Sequence, residues 1–140
     1  MYSMRVKSVM ERKKLLVAPP GTTVAKAARL MAKKNVGAVM VVAEKRLVGI
    51  FTERDAVFRV IAAGRDPEAT TIGEVMTPDP VTVDPNEIFG RVLLAMHEQG
   101  FRHMPVVENG EPVGIVSSRS ALDPEMEEFT AETQRRLSLR

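Results

Sequence analysis

The sequence predicts an α+β fold assembled from two copies of one βαββα unit, and three observations carry that expectation. Sliding the chain by 65 residues superposes Pro20 on Pro85, Met31 on Met96 and Val41-Val42 on Val106-Val107. The same shift places Val48-Gly49-Ile50 on Val113-Gly114-Ile115, Arg54 on Arg119 and Ala56 on Ala121, which makes nine identities over 37 positions. Composition alone gives roughly two or three. Upstream, Val9-Met10 matches Val75-Met76 at an offset of 66. Finally, the apolar spacing alternates between helix and strand in the same order in both copies. The copies span residues 5–64 and 70–122, Arg65–Thr71 links them, and residues 123–140 form a C-terminal tail.

Each element has a local reason. A short turn (Val6–Met10; Ile72–Met76) leads into a brief apolar strand (Leu15–Val17; Val81–Val83). Pro20-Gly21 and Pro85-Asn86 are turn signals. Val24, Ala27, Ala28 and Met31 then recur at helical spacing, as do Ile88, Phe89, Val92, Leu93 and Met96 in the second copy. Asn35 and Gly100 suit the left-handed caps of these helices. Two strands follow in each copy, Ala38–Ala43 with Leu47–Phe51, and Met104–Val107 with Pro112–Val116. Asn109-Gly110 is a two-residue hairpin signal. The first copy closes with a helix from Glu53 to Ala63 capped by Gly64. The second closes with a short helix after Ser117, and Asp123-Pro124 starts a further one, Glu125–Leu139. One unit of this size cannot cover its own sheet, so the two copies should pack together.

Composition narrows the function. The chain has 140 residues, of which 44% are hydrophobic and 27% charged, as in an ordinary globular domain. With no cysteine and two histidines (His97, His103), thiol chemistry, disulfides and zinc sites are not expected. No P-loop or dinucleotide fingerprint occurs, so an enzyme is not expected either. The longest charge-free apolar run, between Lys34 and Glu44, is far short of the roughly 20 residues of a membrane span. The basic N-terminus lacks the apolar stretch of a signal peptide, so a cytoplasmic protein is expected. Net charge is +2, but residues 1–34 hold nine Lys/Arg against Glu11 alone, while residues 66–128 hold thirteen acids against Arg91, Arg102 and Arg119. No aromatics interleave with the basic residues, which argues against nucleic acid. The opposed charges favour packing between the two halves or between subunits.

The chemistry concentrates in Gly49-Ile50-Phe51-Thr52-Glu53-Arg54-Asp55, where a strand hands over to a helix. Gly49 admits close approach of a backbone or a ligand. The helix start offers N–H groups and the Thr52 hydroxyl to an anion, and Asp55 offers two carboxylate oxygens to the hydroxyls of a ribose. Thr-x-x-Asp is equally a capping box with Thr52 at the N-cap, and the local pattern taken alone favours the cap.

The two repeats, "NVGAVMVV", "FRHMPVV" and "GIFTERD" at their spacings, resemble a tandem pair of CBS (cystathionine β-synthase) domains, often called a Bateman module. The resemblance covers residues 5–122. It implies two βαββα repeats packed pseudo-symmetrically, as three-stranded sheets with helices outside. It also implies a regulatory module that binds an adenosine nucleotide (AMP, ADP or ATP) between the repeats and modulates a partner protein. The alternative is a structural CBS protein with no nucleotide ligand. The family's ribose-and-phosphate motif falls on Gly49, Thr52 and Asp55. The other repeat is then expected to supply Met76, Thr77, Val81, Phe101, Arg102 and His103, with Arg54, Arg102 and His103 as phosphate contacts. A weaker second cleft would use Val36, Gly37, Ala38, Gly114, Ser117, Arg119 and Ser120, where Ser120 replaces the expected aspartate. The resemblance also implies a homodimer, for which Val57, Phe58, Val60 and Ile61 offer apolar surface, only part of which is needed within the chain. Met126, Phe129, Thr133 and Leu137 fall roughly on one face of the tail helix, which would cover the module, a second subunit or a partner.

Overall fold

A helical turn α1 (Val6–Val9) precedes strand β1 (Val17–Ala18). Helix α2 (Val24–Lys34) begins where the Thr23 hydroxyl accepts a hydrogen bond from Lys26 N at 3.2 Å, and ends at Asn35 in the left-handed region at φ 56°. Val24, Ala27 and Met31 turn inward, but Ala28 is exposed, because the buried stripe is narrower than the apolar spacing suggests. Strands β2 (Ala38–Ala43) and β3 (Arg46–Thr52) form a hairpin. A helical turn α3 (Glu53–Asp55) follows, continuous with a π-helical segment, Ala56–Ile61. The second copy comprises α4 (Ile72–Val75), β4 (Thr77–Pro78), α5 (Phe89–Gln99), β5 (His103–Glu108) and β6 (Glu111–Ser117). This computed structural model describes residues 2–118, 132–133 and 135–137. Arg119, Ser120, Met126 and Phe129 lie outside the described residues; within the tail, Glu132 pairs with Arg135 and Arg136, and Leu137 is exposed.

Two local expectations need correction. The helix read from Glu53 to Ala63 is α-helical for only one turn. Its later bonds, Ala62 N to Val57 O (2.8 Å) and Arg65 N to Val60 O (2.9 Å), skip five residues instead of four. Val57, Phe58, Val60 and Ile61 are residues that lose side-chain freedom in a tight helix. The strand read at Val81–Val83 shrinks to a single bridge, Val83 with Val106, and Val81 is exposed. Pro78, Pro80 and Pro85 remove the N–H donors a longer ladder needs.

The sheets interleave the copies. β1, β2 and β3 are the three strands expected of copy one, and β4 of copy two adds a fourth, pairing Gly49 with Pro78 and Ile50 with Thr77. The reciprocal contact is the bridge of Glu11 with Ile115 on the β5–β6 hairpin. Both hairpins carry a register shift at the equivalent place, Val41/Val42 and Val106/Val107. The cores follow the same exchange. Ile72 and Val75 of copy two are buried with Val24, Met31, Val39 and Phe51, whereas Val6 of copy one is buried with Phe89, Val92, Met104 and Val116. A third cluster, Ala38, Met40, Ile50 and Ile115, joins the two sheets. The linker is docked as well: Thr70 O and Pro67 O accept from Val24 N and Ala25 N, satisfying donors of the first turn of α2. No described helix is long and apolar enough to cross a membrane.

The exchange makes a prediction. Ile72, fully buried in the first copy's core, should cost about 2–5 kcal/mol when replaced in Ile72→Ala. Native-state hydrogen exchange should show the loss first in β2 and β3, across the chain from the substituted copy. Loss confined to α5 and β5 would contradict the interleaving.

Candidate functional site

The end of β3 delivers Thr52 and Asp55 to the seam between the copies. Thr52 is in extended backbone and caps the helix behind it: Asp55 N donates to its Oγ1 at 3.3 Å. The Asp55 carboxylate returns the bond, accepting at Oδ2 from Thr52 N at 2.9 Å and from Thr52 Oγ1 at 3.2 Å. Its other oxygen, Oδ1, lies 3.5 Å from Nε of Arg59, one turn along. A carboxylate has about four lone-pair positions. Thr52 takes both on Oδ2, whereas Oδ1 faces Arg59 as an ion pair, which leaves Oδ1 for a ligand hydroxyl. The side chain of Asp55 is only 10% exposed, so that remaining oxygen is the part of it a sugar can use.

Gly49 is explained by neighbouring protein, not by a ligand. A Cβ there would run into Met76 Sδ and lie 3.0 Å from Thr77 O. Gly114 is its counterpart beneath Met10, whose Sδ would be 2.7 Å from such a Cβ. Met76 and Thr77 are thus brought to Gly49, whereas Arg54 is turned to the surface with its guanidinium 5.1 Å from the Phe58 ring centroid. Val81 and Phe101 are exposed, at 48% and 37%.

A pocket of about 240 Å³ opens where the starts of β2 and β5 meet. Val36, Gly37, Ala38 and Ser117 of the second cleft line it, together with Arg102 and His103, which the resemblance had put with Asp55. Its charged lining is mixed: Lys14 and Arg102 against Glu11 and Glu53. A Cβ on Gly37 would meet Glu53 Oε1 at 2.9 Å and His103 Nε2 at 3.3 Å, so a carboxylate and an imidazole converge over this glycine. Sequence reasoning missed Glu11, Lys14, Asn35 and Glu53 here. The Val9-Met10 match to Val75-Met76 held the signal, since a residue beside Met10 must face the second cleft if Met76 faces the first. Arg59 was missed too, although Asp and Arg four apart on a helix are natural partners. Among the described residues no cluster of His, Asp and Glu is arranged to hold a metal.

Comparison with known proteins finds one family twice along the chain. The CBS domain family model matches residues 6–62 and 72–124. The CBS domain-containing protein CBSCBSPB3 of Arabidopsis thaliana is 39% identical over 110 residues, covering 78% of this chain but 20% of that protein, so the chain spans about a fifth of its plant relative. Among solved structures, an uncharacterized conserved protein from Pyrococcus horikoshii superposes with TM-score 0.82 at 32% identity, covering 89% of this chain and 94% of the other. The CBS domain protein PAE2072 from Pyrobaculum aerophilum, complexed with AMP, gives TM-score 0.76 at 28% identity over 84% and 89% of the two chains. The CBS domain pair of protein MJ0100, in complex with 5′-methylthioadenosine and S-adenosyl-L-methionine, gives 0.79 at 26% over 89% and 98%.

The hydrogen-bond inventory at Asp55 sets the cost of changing it. Asp55→Ala keeps the backbone bond to Thr52 Oγ1 but strands Thr52 N and removes the carboxylate half of the capping box, and should destabilise by about 1–3 kcal/mol in urea denaturation. Asp55→Asn keeps an acceptor for Thr52 N and loses only the half-exposed Arg59 pair, so it should cost about 1 kcal/mol or less. Equal losses in the two variants would remove the cap from the account.

Proposed function

The chain belongs to the CBS domain family, and on that premise we propose that it is a regulatory ligand-sensing module that binds an adenosine nucleotide between its repeats and modulates a partner protein. The observation that carries this reading is the Thr52–Asp55 pair at the seam of the copies, largely buried, with Asp55 Oδ1 facing Arg59 as an ion pair and accepting no hydrogen bond. A ribose hydroxyl donating to Oδ1 completes the carboxylate. The second hydroxyl is accepted when the Thr52 hydroxyl rotates away from Oδ2. Structural neighbours bound to AMP and to S-adenosyl-L-methionine support an adenosine-containing ligand. Gly49, Thr52, Asp55, Met76 and Thr77 form the stronger cleft. Arg102 and Lys14 supply positive charge, and His103 an imidazole, in the pocket beside Ser117, the weaker cleft, for which Ser120 provides no carboxylate. The module acts in binding, not catalysis.

A second reading has its own observation. Asp55 accepts two hydrogen bonds from Thr52 on Oδ2 and pairs with Arg59 through Oδ1 within the chain, as a purely structural interaction protein would have it. A ligand panel separates the two. With AMP, ADP, ATP or S-adenosyl-L-methionine at about 100 times its dissociation constant, a bound ligand adds about 2.7 kcal/mol and should raise the melting temperature by about 5–15 °C. No shift with any of the four would favour the structural reading.

Stoichiometry tests the inequality of the clefts. Calorimetry should count about one tight nucleotide per chain, with Asp55→Asn weaker by roughly 10- to 100-fold, because a hydrogen bond to a charged acceptor is lost. Two equally tight sites would refute the ranking.

The exposed apolar row Val57, Phe58 and Ile61, at 49, 61 and 71%, supports a homodimer. Sedimentation at micromolar concentration should give twice 15.4 kDa, and a single species at that mass itself would refute it.

A further inference from the structure

We propose that Arg59 is the positioning residue that links occupancy of the Asp55 cleft to the docking of the second copy's lead-in segment, residues 72–78. One guanidinium makes both contacts. Nε faces Asp55 Oδ1 at 3.5 Å, and Nη1 donates to Val75 O at 3.3 Å and Met76 O at 3.2 Å. These carbonyls end α4, where a cation is favourably placed. The segment they belong to is not peripheral. Met76 covers Gly49, Thr77 pairs with Ile50, and Ile72 and Val75 complete the first copy's core. A planar fork suits the task, since one ammonium cannot hold a carboxylate and two carbonyls in fixed directions.

Two consequences follow from this geometry. Arg59 restrains the rotation of the Asp55 carboxylate, so that the unused position on Oδ1 keeps its direction. It also ties that same oxygen to the main chain of the other copy, so that a ligand hydroxyl arriving at Oδ1 is felt at residues 75–76. This rests on the reading of Asp55 as the ribose anchor, and the test keeps the two apart.

The test compares the parent with Arg59→Met, which keeps the apolar stem and removes the fork, and with Arg59→Lys. Calorimetry with AMP and 2′-deoxy-AMP measures sugar selectivity, and hydrogen exchange measures residues 72–78 without ligand. The parent should prefer the ribonucleotide by about tenfold or more. Arg59→Met should bring the two sugars within about threefold, mainly by weakening AMP, while Arg59→Lys restores part of the preference. Exchange across 72–78 should quicken in Arg59→Met, and also in Asp55→Asn, which loosens the same guanidinium. Equal weakening of both nucleotides in Arg59→Met would make Arg59 merely structural and overturn the positioning role. If the parent binds neither nucleotide, or both alike, the ribose anchor fails. The exchange data still decide the tether, and unchanged exchange at 72–78 in both variants overturns it.

Discussion

The fold depends on an exchange of short segments between two copies, each of which completes the core of the other. Ile72 and Val75 complete the core of the first copy, and Val6 completes that of the second. A unit of about 60 residues buries too little apolar surface to offset the loss of chain entropy by a useful margin. Lending a helical turn across the seam enlarges both cores at once. It also presses each lead-in segment against a glycine of the other copy's sheet, Met76 and the Thr77 carbonyl over Gly49 and the Met10 side chain over Gly114. The functional seam is therefore a by-product of how the cores are filled.

At that seam one buried carboxylate serves several partners. Asp55 closes the capping box of the helix start and faces Arg59, which in turn holds the carbonyls of Val75 and Met76. A hydrogen bond to a charged group is worth about 1.5–3 kcal/mol, so the bonds from Thr52 matter on the scale of a domain's net stability, while the half-exposed Arg59 pair adds about 1 kcal/mol or less. The cap and the proposed ribose reading of Thr-x-x-Asp are thus not exclusive: the cap orients the carboxylate and leaves Oδ1 outside its own hydrogen bonds. The second pocket is built differently. Its lysine, arginine, histidine and glutamates converge from both copies, and their balance of charge, not one anchoring aspartate, is its distinguishing chemistry.

Much of this was legible along the chain, and the limits of legibility have physical causes. The repeat, the helix periodicities, the left-handed caps at Asn35, Gly64 and Gly100, and the Asn109-Gly110 turn are local. They rest on backbone sterics and apolar spacing that neighbours in sequence express by themselves. Gly49, Thr52 and Asp55 stood out for the same reason, because a strand-to-helix turn and its cap span only a few residues. The π-helical turn at Ala56–Ile61 and the reduction of Val81–Val83 to one bridge were not legible, since each depends on how a marginal segment is held by what packs against it.

Local pattern along the chain is enough to specify two copies, most of their helices and hairpins, and the residue types that line a strand-to-helix turn. Packing in three dimensions assigns α4 to the first core and α1 to the second, carries Arg59 across to Val75 and Met76, and sets Arg102 and His103 in a pocket with Gly37 and Ser117. Local pattern records what a residue can do with its near neighbours on the chain. Exchange across a pseudo-twofold seam pairs residues tens of positions apart, through side-chain reach and the closing of two cores. No periodicity along the chain encodes that pairing.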